Sequence, residues 1–399
     1  MIKHYRQQWA VGHGFFHSGK IETDTASYRY VYDCGSHHSN HLANKRVNEL
    51  YGIESLDSDK PSIDMVVISH FHADHINGVP RLFQQFKIRQ LVLPFLSEDS
   101  QIVALAQLAA TSPNAWNELH ELVTNPRGWV NQHNGEETLI VQISENAGEV
   151  EVHRENDDGL FIGPPGIVNH NSTSGICQSQ KVIWNFKFFI QNNSSASQSV
   201  IQKLQSSLSI PSRQILLDNL KNETWIKNNW DTIKKCYTGL GSSKQNATTL
   251  CMFSGPAGDY QLHDARISGK PLCYFQDCWW IHLHYGIGWL GTGDAELKSK
   301  TNFQAFMNHF NGHIEKTSTT SIPHHGSINN YHPKLGEIGF RHTITSDYAV
   351  DPKGHHPSPT VVSDIQAKCG TPIIVTKSSH FSERFFLEIN AGSNLKCGA

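Results

Sequence analysis

Between Ser69 and His75 the chain reads Ser-His-Phe-His-Ala-Asp-His, three imidazoles and one carboxylate in a single short stretch. Neutral imidazole and carboxylate are ordinary ligands for zinc and other borderline divalent metals. The stretch follows Asp64-Met-Val-Val-Ile-Ser, a continuous apolar run that suits a strand buried on both faces. A tight turn at the end of such a strand can aim His70 and His72 at one point and Asp74 and His75 at a neighbouring one. The bland alternative, a solvated histidine-rich turn, leaves that strand context and the motifs downstream without a role.

Two metal positions need further donors, and candidates stand at the ends of other strands. Asp33 ends Tyr-Arg-Tyr-Val-Tyr-Asp and precedes Cys-Gly. Asp294 ends Trp-Leu-Gly-Thr-Gly-Asp, and a carboxylate there can bridge two ions. His324 and His325 follow Ser-Ile-Pro, and His355 with His356 precedes Pro357. Taken singly, each has an ordinary explanation: aspartates cap turns, and His-His pairs are commonly surface features. Their joint order along the chain makes them ligand candidates. His37, His38 and His41 follow the Asp33 turn and either line the cleft or belong to a solvated loop.

The elements that must position these groups alternate in type. KHYRQQWAVG and SYRYVYDCGS read as strands. Residues 41–52 read as a helix, 64–70 as a strand, 76–86 as a helix and 89–94 as a second buried strand. Strand, loop, helix and strand in that order suit a layered α/β fold. Residues 99–124 and 200–237 carry helical patterns, 138–153 alternate weakly, and 181–190 form a strand. The stretch 154–180 is rich in Gly, Pro, Asn and Ser and reads as loops, and 192–199 is small and polar. Strand character returns at 247–253, 279–284 and 288–291. A helix over 302–310 follows, then strands at 343–346, 372–376 and 385–389, with a helix over 359–369.

Composition sets limits. A chain of 399 residues exceeds the roughly 150 typical of one domain. A net charge of -3 gives no global basic field for nucleic acid. A local groove or the metals themselves can still hold phosphate. The eight cysteines include no Cys-x-x-Cys pair and read as free buried thiols of a reducing compartment. Cys273 and Cys278, beside Trp279 and Trp280, read as core packing, as do Trp225 and Trp230. The opening residues have no apolar signal core, and no apolar run is long enough to span a membrane. A cytoplasmic protein is expected.

The motifs together resemble the metallo-β-lactamase superfamily, whose signature is His-x-His-x-Asp-His. They resemble more closely the soluble hydrolase domain of ComEC-type DNA-uptake proteins. The matching pieces are Val11-Gly-His-Gly14, Val31-Tyr-Asp-Cys-Gly35, Ser69 to His75 with Ile76-Asn-Gly-Val79, Asn246-Ala-Thr-Thr-Leu250, Gly291-Thr-Gly-Asp294, Pro323-His-His-Gly-Ser327 and Gly354-His-His-Pro357. They cover about 1–95 and 246–390. The chain departs from the pattern in having His13 where glutamine is usual, and in lacking the transmembrane channel and the superfamily's usual third-motif histidine. His153 does not replace that histidine.

The resemblance implies an α/β fold, the four-layer αββα sandwich, with residues 1–95 and 246–399 as its halves and 96–245 as a mixed α/β insertion or lid. It implies one or two divalent ions, zinc first and manganese second, held by Asp33, His70, His72, Asp74, His75, Asp294, His324 and His325. Asp74, His324, His325 and His356 would carry catalysis through a metal-activated hydroxide, with Asn246, Thr248 and Ser327 behind the ligands. The implied activity is phosphodiester hydrolysis of DNA or RNA. The rivals are hydrolysis of a small substrate, such as a cyclic nucleotide, lactone or β-lactam, and a non-catalytic partner protein that keeps the fold. A basic, open groove favours the nuclease, and a deep pocket closed by 96–245 favours the small substrate. No membrane is implied, and protein partners are not identified.

Overall fold

The structure, a computed structural model, describes residues 1–37, 40–55, 60–111, 113–133, 135–144, 159–160, 166–169, 173–178, 181–192, 194–238, 248–268, 270–271, 286–349, 353 and 356–389. Two large sheets form its frame. The first contains, in hydrogen-bonded order, Gly166–Asn169, Leu139–Ser144, Gln90–Pro94, Met65–Val67, Ser27–Cys34, Phe16–Glu22, Ile2–Gln8, Phe381–Ile389, Tyr260–Ile267 and Lys270–Pro271. The second contains Thr371–Val375, Arg341–Thr345, Thr317–Ser321, Gly288–Gly291, Thr248–Pro256, Lys181–Asn192, Thr173–Gln178 and Gly159–Leu160.

Side-chain parity explains the layering. In Ser27–Cys34, Tyr28, Tyr30 and Tyr32 enter the core between the sheets, while Val31 points to the helices outside. The run Met-Val-Val-Ile does the same, with Met65 and Val67 inward and Val66 and Ile68 outward. The second sheet mirrors this. Phe186, Phe188, Ile190, Leu250, Met252 and Trp289 face the first sheet, whereas Phe189, Cys251, Phe253 and Leu290 face helices Lys300–His309 and Pro359–Ala367. A strand apolar on both faces must be covered twice, so the result is helix, sheet, sheet, helix.

Thr317–Ser321 has no apolar residue, yet all five of its residues are buried. Its hydroxyls find partners: Thr317 donates to the carbonyl of His313, Ser318 to that of Gly288 and Thr320 to that of Ile338. Ser321 Oγ accepts from the amide of Thr292 at 2.9 Å. A polar strand is stable in a core when each buried group is paired.

Several expectations change. Phe16–Glu22 and Tyr260–Ile267 are strands that the sequence pattern does not single out. The expected loop over 154–180 contains Gly166–Asn169 and Thr173–Gln178, which pair through backbone groups that small residues supply as well as large ones. The polar stretch 192–199 opens helix Ser194–Leu208. Within 96–245, Leu139–Ser144 runs parallel to Gln90–Pro94, and Lys181–Asn192 pairs with Thr248–Pro256. Part of that span is therefore built into the two sheets. Its helices Glu98–Thr111, Pro113–Thr124, Ser194–Leu208, Arg213–Leu220 and Glu223–Thr238 cover the outer face of the first sheet. The expected strand over 279–284 and Cys273 and Cys278 lie outside the described residues. Among the described residues, Cys34, Cys236, Cys251 and Cys369 are free thiols, and Cys369 is exposed. Among these residues, too, no helix is long and apolar enough to cross a membrane.

Candidate metal centre

Parallel strands bring their carboxyl ends to one edge of the sandwich, the usual place for sites in α/β folds. Asp33 closes Ser27–Cys34, and Ser69 to His75 follow Met65–Val67. From the second sheet, Asp294 follows Gly288–Gly291, His324 and His325 follow Thr317–Ser321, and His356 lies beyond Arg341–Thr345. The helix expected over 76–86 runs over Val79–Gln85, and a separate single turn, Ala73–Ile76, precedes it and carries Asp74 and His75.

Asp294 stands at the middle. Its Oδ2 lies 3.4 Å from His70 Nε2, 3.6 Å from His72 Nδ1 and 3.9 Å from His324 Nε2. Its Oδ1 lies 3.3 Å from His75 Nε2. Beside that second group, His325 Nε2 is 3.3 Å from Asp74 Oδ2. Ligand atoms of His70, His72 and Asp294 lie within 4.8 Å of one another, and so do those of His75, Asp294 and His325. Two donor sets therefore share one carboxylate.

Each imidazole is fixed from behind. Ser69 Oγ donates to Asp33 Oδ2 at 2.6 Å, which leaves it to accept from His70 Nδ1 at 2.8 Å. His75 Nδ1 donates to Asp33 Oδ2 at 2.8 Å, and the amide of Ser69 donates to Asp33 Oδ1 at 2.7 Å. His325 Nδ1 contacts Thr345 Oγ1 at 3.0 Å, and His72 Nε2 lies 3.3 Å from the hydroxyl of Tyr237. For His70 and His75 these contacts put a proton on the rear nitrogen, the one turned away from Asp294. The front Nε2 atoms of His70, His75 and His325 are buried and make no hydrogen bond of ordinary geometry. Open imidazole nitrogens aimed at carboxylates, with their far sides anchored, suit a divalent cation.

The electrostatics agree. Burial disfavours a charged His75, yet the carboxylates of Asp294 and Asp33 outweigh it and raise its pKa well above the usual range. Burial would raise Asp74, but the nearby imidazoles of His325 and His75 hold its carboxyl well below the ordinary value. Burial, together with the neighbouring His70, holds His72 down at about 3. The centre thus favours ionised carboxylates, a neutral His72 and a positive charge between them.

The sequence-derived residues fall into three groups. His70, His72, His75, Asp74, Asp294, His324 and His325 converge. Asp33, expected as a ligand, stands behind His70 and His75. It comes within 4.8 Å of their ligand atoms, but through oxygens already bonded to Ser69 and His75. His356 stacks on His324 with ring centroids 5.3 Å apart. Ser327 donates its amide to the carbonyl of His324 at 2.9 Å and so closes the turn that carries the pair. Thr248 Oγ1 contacts Ser100 Oγ at 3.3 Å on the wall beside His70 and His72. Asn246, His38 and His355 lie outside the described residues. His41 is exposed, while the ring of His37 lies 5.5 Å from that of His13.

Several neighbours were not expected at the centre: Ser69, Thr345, Tyr237, His13 and Asn330, whose side-chain amide donates to the carbonyl of Asp294 at 3.0 Å. Ser69, adjacent to His70, and His13, standing where the resembled motif has glutamine, left a signal in the sequence. A cleft of about 630 Å³ lies elsewhere, by Tyr5, Lys20, Arg29 and Arg384.

Gly35 lets two backbones meet. A side-chain carbon there would collide with the backbone of Asp74 and with the amide of His75. Gly35→Val should therefore push the Asp74–His75 turn away from Asp294 without altering a ligand. Metal affinity is expected to fall by at least ~10-fold, as for other changes behind a ligand set. Competition with a chromophoric chelator checks this, and wild-type affinity in the variant would refute it.

Residues 21–98 match the model of the Metallo-beta-lactamase superfamily. That span holds Asp33, His70, His72, Asp74 and His75 and ends before Asp294 and the His324–His325 pair. Among solved structures, an unliganded yeast PDE1 is similar over 97% of this chain and 100% of its own, at 8% identity and a TM-score of 0.42. No curated protein matches the chain. With its two sheets, outer helices and strand-end histidines, the chain has the metallo-β-lactamase fold.

Proposed function

We propose that the protein is a metal-dependent hydrolase that cleaves phosphodiester bonds of DNA or RNA. The observation that carries this reading is Asp294, whose two oxygens face two separate donor sets. Paired cations, once bound, stabilise the attacking and leaving oxygens of a phosphoryl displacement. His70, His72 and Asp294 would hold one ion, and Asp74, His75, His325 and Asp294 the other. Zinc suits this imidazole-rich set first and manganese second.

The open side of the centre is marked by exposure. The side chains of Asp74 and His324 keep 15% and 13% of their surface, whereas His70, His75, His325 and Asp294 keep at most 4%. A substrate enters past Asp74, His324 and His356. There Asp74 orients the attacking water, and His324 and His356 offer N–H groups to phosphoryl oxygens or to the leaving oxygen. A motif order similar to that of ComEC-type hydrolase domains supports nucleic acid as the substrate class.

A second reading rests on the opposite side. Helix Glu98–Thr111 and Thr248 wall off His70 and His72 and leave a cavity of only about 20 Å³. Tyr237, from helix Glu223–Thr238, closes on His72. That cavity has room for about one water molecule, so a small phosphodiester such as a cyclic nucleotide would enter from the open side, with this lobe, residues 96–245, limiting its size, and we assign the lobe to substrate selection rather than to metal binding.

One panel separates the readings. The purified protein is assayed with Zn²⁺, Mn²⁺ or Mg²⁺ on single- and double-stranded DNA, RNA, cyclic nucleotides, a lactone and a β-lactam. Cleavage of polynucleotides supports the first reading, and turnover confined to cyclic nucleotides supports the second. Absence of phosphodiester cleavage with every metal overturns both. Tyr237→Phe removes the partner of His72 Nε2 while keeping the ring. Metal affinity or activity should fall ~10-fold, and unchanged values in both would remove Tyr237 from the centre.

A further inference from the structure

The loop from Val11 to Phe15 brings a further imidazole to the centre. Gly12 has φ 69°, a conformation open to glycine, and a side-chain carbon there would meet Asp347 and Lys377. Gly14 is equally confined, against the backbone of Gly35 and Ser36. Between them, the amide of His13 donates to Asp347 Oδ1 at 3.0 Å, and the next amide but one, that of Phe15, donates to the carbonyl of Asp74 at 3.0 Å. The loop is pinned on both sides, so the position of His13 is set by its backbone.

That position faces the second donor set. The rings of His13 and His325 have centroids 3.9 Å apart and are inclined by 37°. A nitrogen of His13, an oxygen of Asp74 and a nitrogen of His325 lie within 4.8 Å of one another. Among the described residues no hydrogen bond holds the His13 ring. The ring is half-buried, on the same open side as Asp74.

We propose that His13 is an additional ligand of the second cation position, alongside Asp74, His75, His325 and the shared Asp294. This rests on the two-cation reading above. The two positions are then unequal. The second draws on two triads that meet at His325, one of His75, Asp294 and His325 and one of His13, Asp74 and His325, while the first offers His70, His72 and Asp294, with His324 as its next neighbour. The donor-rich position retains its ion longer. His13 thereby makes up in one position for the histidine that the chain lacks in the other.

The test is removal of Zn²⁺ from the full-length protein by graded chelator, with retained metal measured by mass spectrometry. Co²⁺-loaded protein gives a parallel visible spectrum. Wild type should release its ions in two steps. His13→Ala and His13→Phe, the latter keeping the ring packed on His325, should lower the affinity of the tighter step by at least ~10-fold and leave the weaker step in place. His324→Ala should affect the weaker step alone. Two unchanged steps in both His13 variants, with wild-type circular dichroism, would overturn the role of His13. Failure of wild type to bind any divalent cation would instead overturn the two-cation reading and this inference with it.

Discussion

Asp294→Asn is expected to abolish hydrolysis while leaving the protein folded, with a fall in rate of at least ~10³-fold, or about 4 kcal/mol of barrier. The substitution keeps the size of the side chain and the backbone contact to Asn330. It removes the charge that His70, His72, His75 and His324 all face. The loss should therefore appear in metal content as much as in rate, since both donor sets draw on the same carboxylate. His72→Ala and Asp74→Ala each empty only one set, and should abolish activity while leaving about one ion bound. Circular dichroism and metal analysis of the three variants check this ordering. An Asp294→Asn protein with two ions and full activity on the wild-type substrate would show that the shared carboxylate is not the centre.

Why was so much of this centre legible in the sequence? His70, His72, Asp74 and His75 lie within six residues, Asp294 sits where an apolar run stops, and the His324–His325 pair follows a short strand. Strand ends are visible as changes of residue type, so the positions of Asp294 and of the His324–His325 pair could be read. Direction was not legible. Asp33 has the residue type and placement of a ligand, but its strand aims it at the rear of His70 and His75. Tyr237 reaches His72 across a separation of 165 residues, from a helix whose spacing suggests only packing. Composition also misled in the middle of the chain. Thr173–Gln178 is poor in large β-formers, yet it pairs with Lys181–Asn192, an aromatic-rich strand.

The layering was legible from alternation, but the charge inside it was not. In strand Ile2–Gln8 the inward positions are Ile2, His4, Arg6 and Gln8, and all four are buried. Residue type alone would turn Arg6 outward. It is held inward by Glu383, its cross-strand partner, at 2.6 Å between Arg6 Nε and Glu383 Oε2. Arg341 Nε, from the second sheet, reaches Glu383 Oε1 at 2.7 Å, and Thr319 Oγ1 lies 3.0 Å from the same oxygen. Arg6 NH1 and NH2 go on to the carbonyl of Ile287 and the hydroxyl of Ser318. One carboxylate thus joins two guanidinium groups and both sheets.

Glu383→Ala is accordingly expected to be the most destabilising of these substitutions. Burial opposes the charge of Glu383, but Arg341 and Arg6 more than offset it and hold its pKa near 2. Removing the carboxylate leaves two guanidinium groups buried without an anion, which costs about 3–5 kcal/mol. Glu383→Gln keeps the shape and loses the charge, and should fall between the variant and wild type. The pH dependence has a definite sign. Because the folded pKa lies below the unfolded value, the stabilisation is complete above the ordinary glutamate pKa, roughly 4.3. It is lost as pH falls from there towards 2. The stability gap between wild type and Glu383→Gln should therefore be widest near neutrality and shrink below about pH 4. Urea unfolding at a series of pH values measures it. A gap that stays constant from pH 7 to pH 3 would show that the carboxylate acts through packing and hydrogen bonds, with its charge already balanced elsewhere in the core.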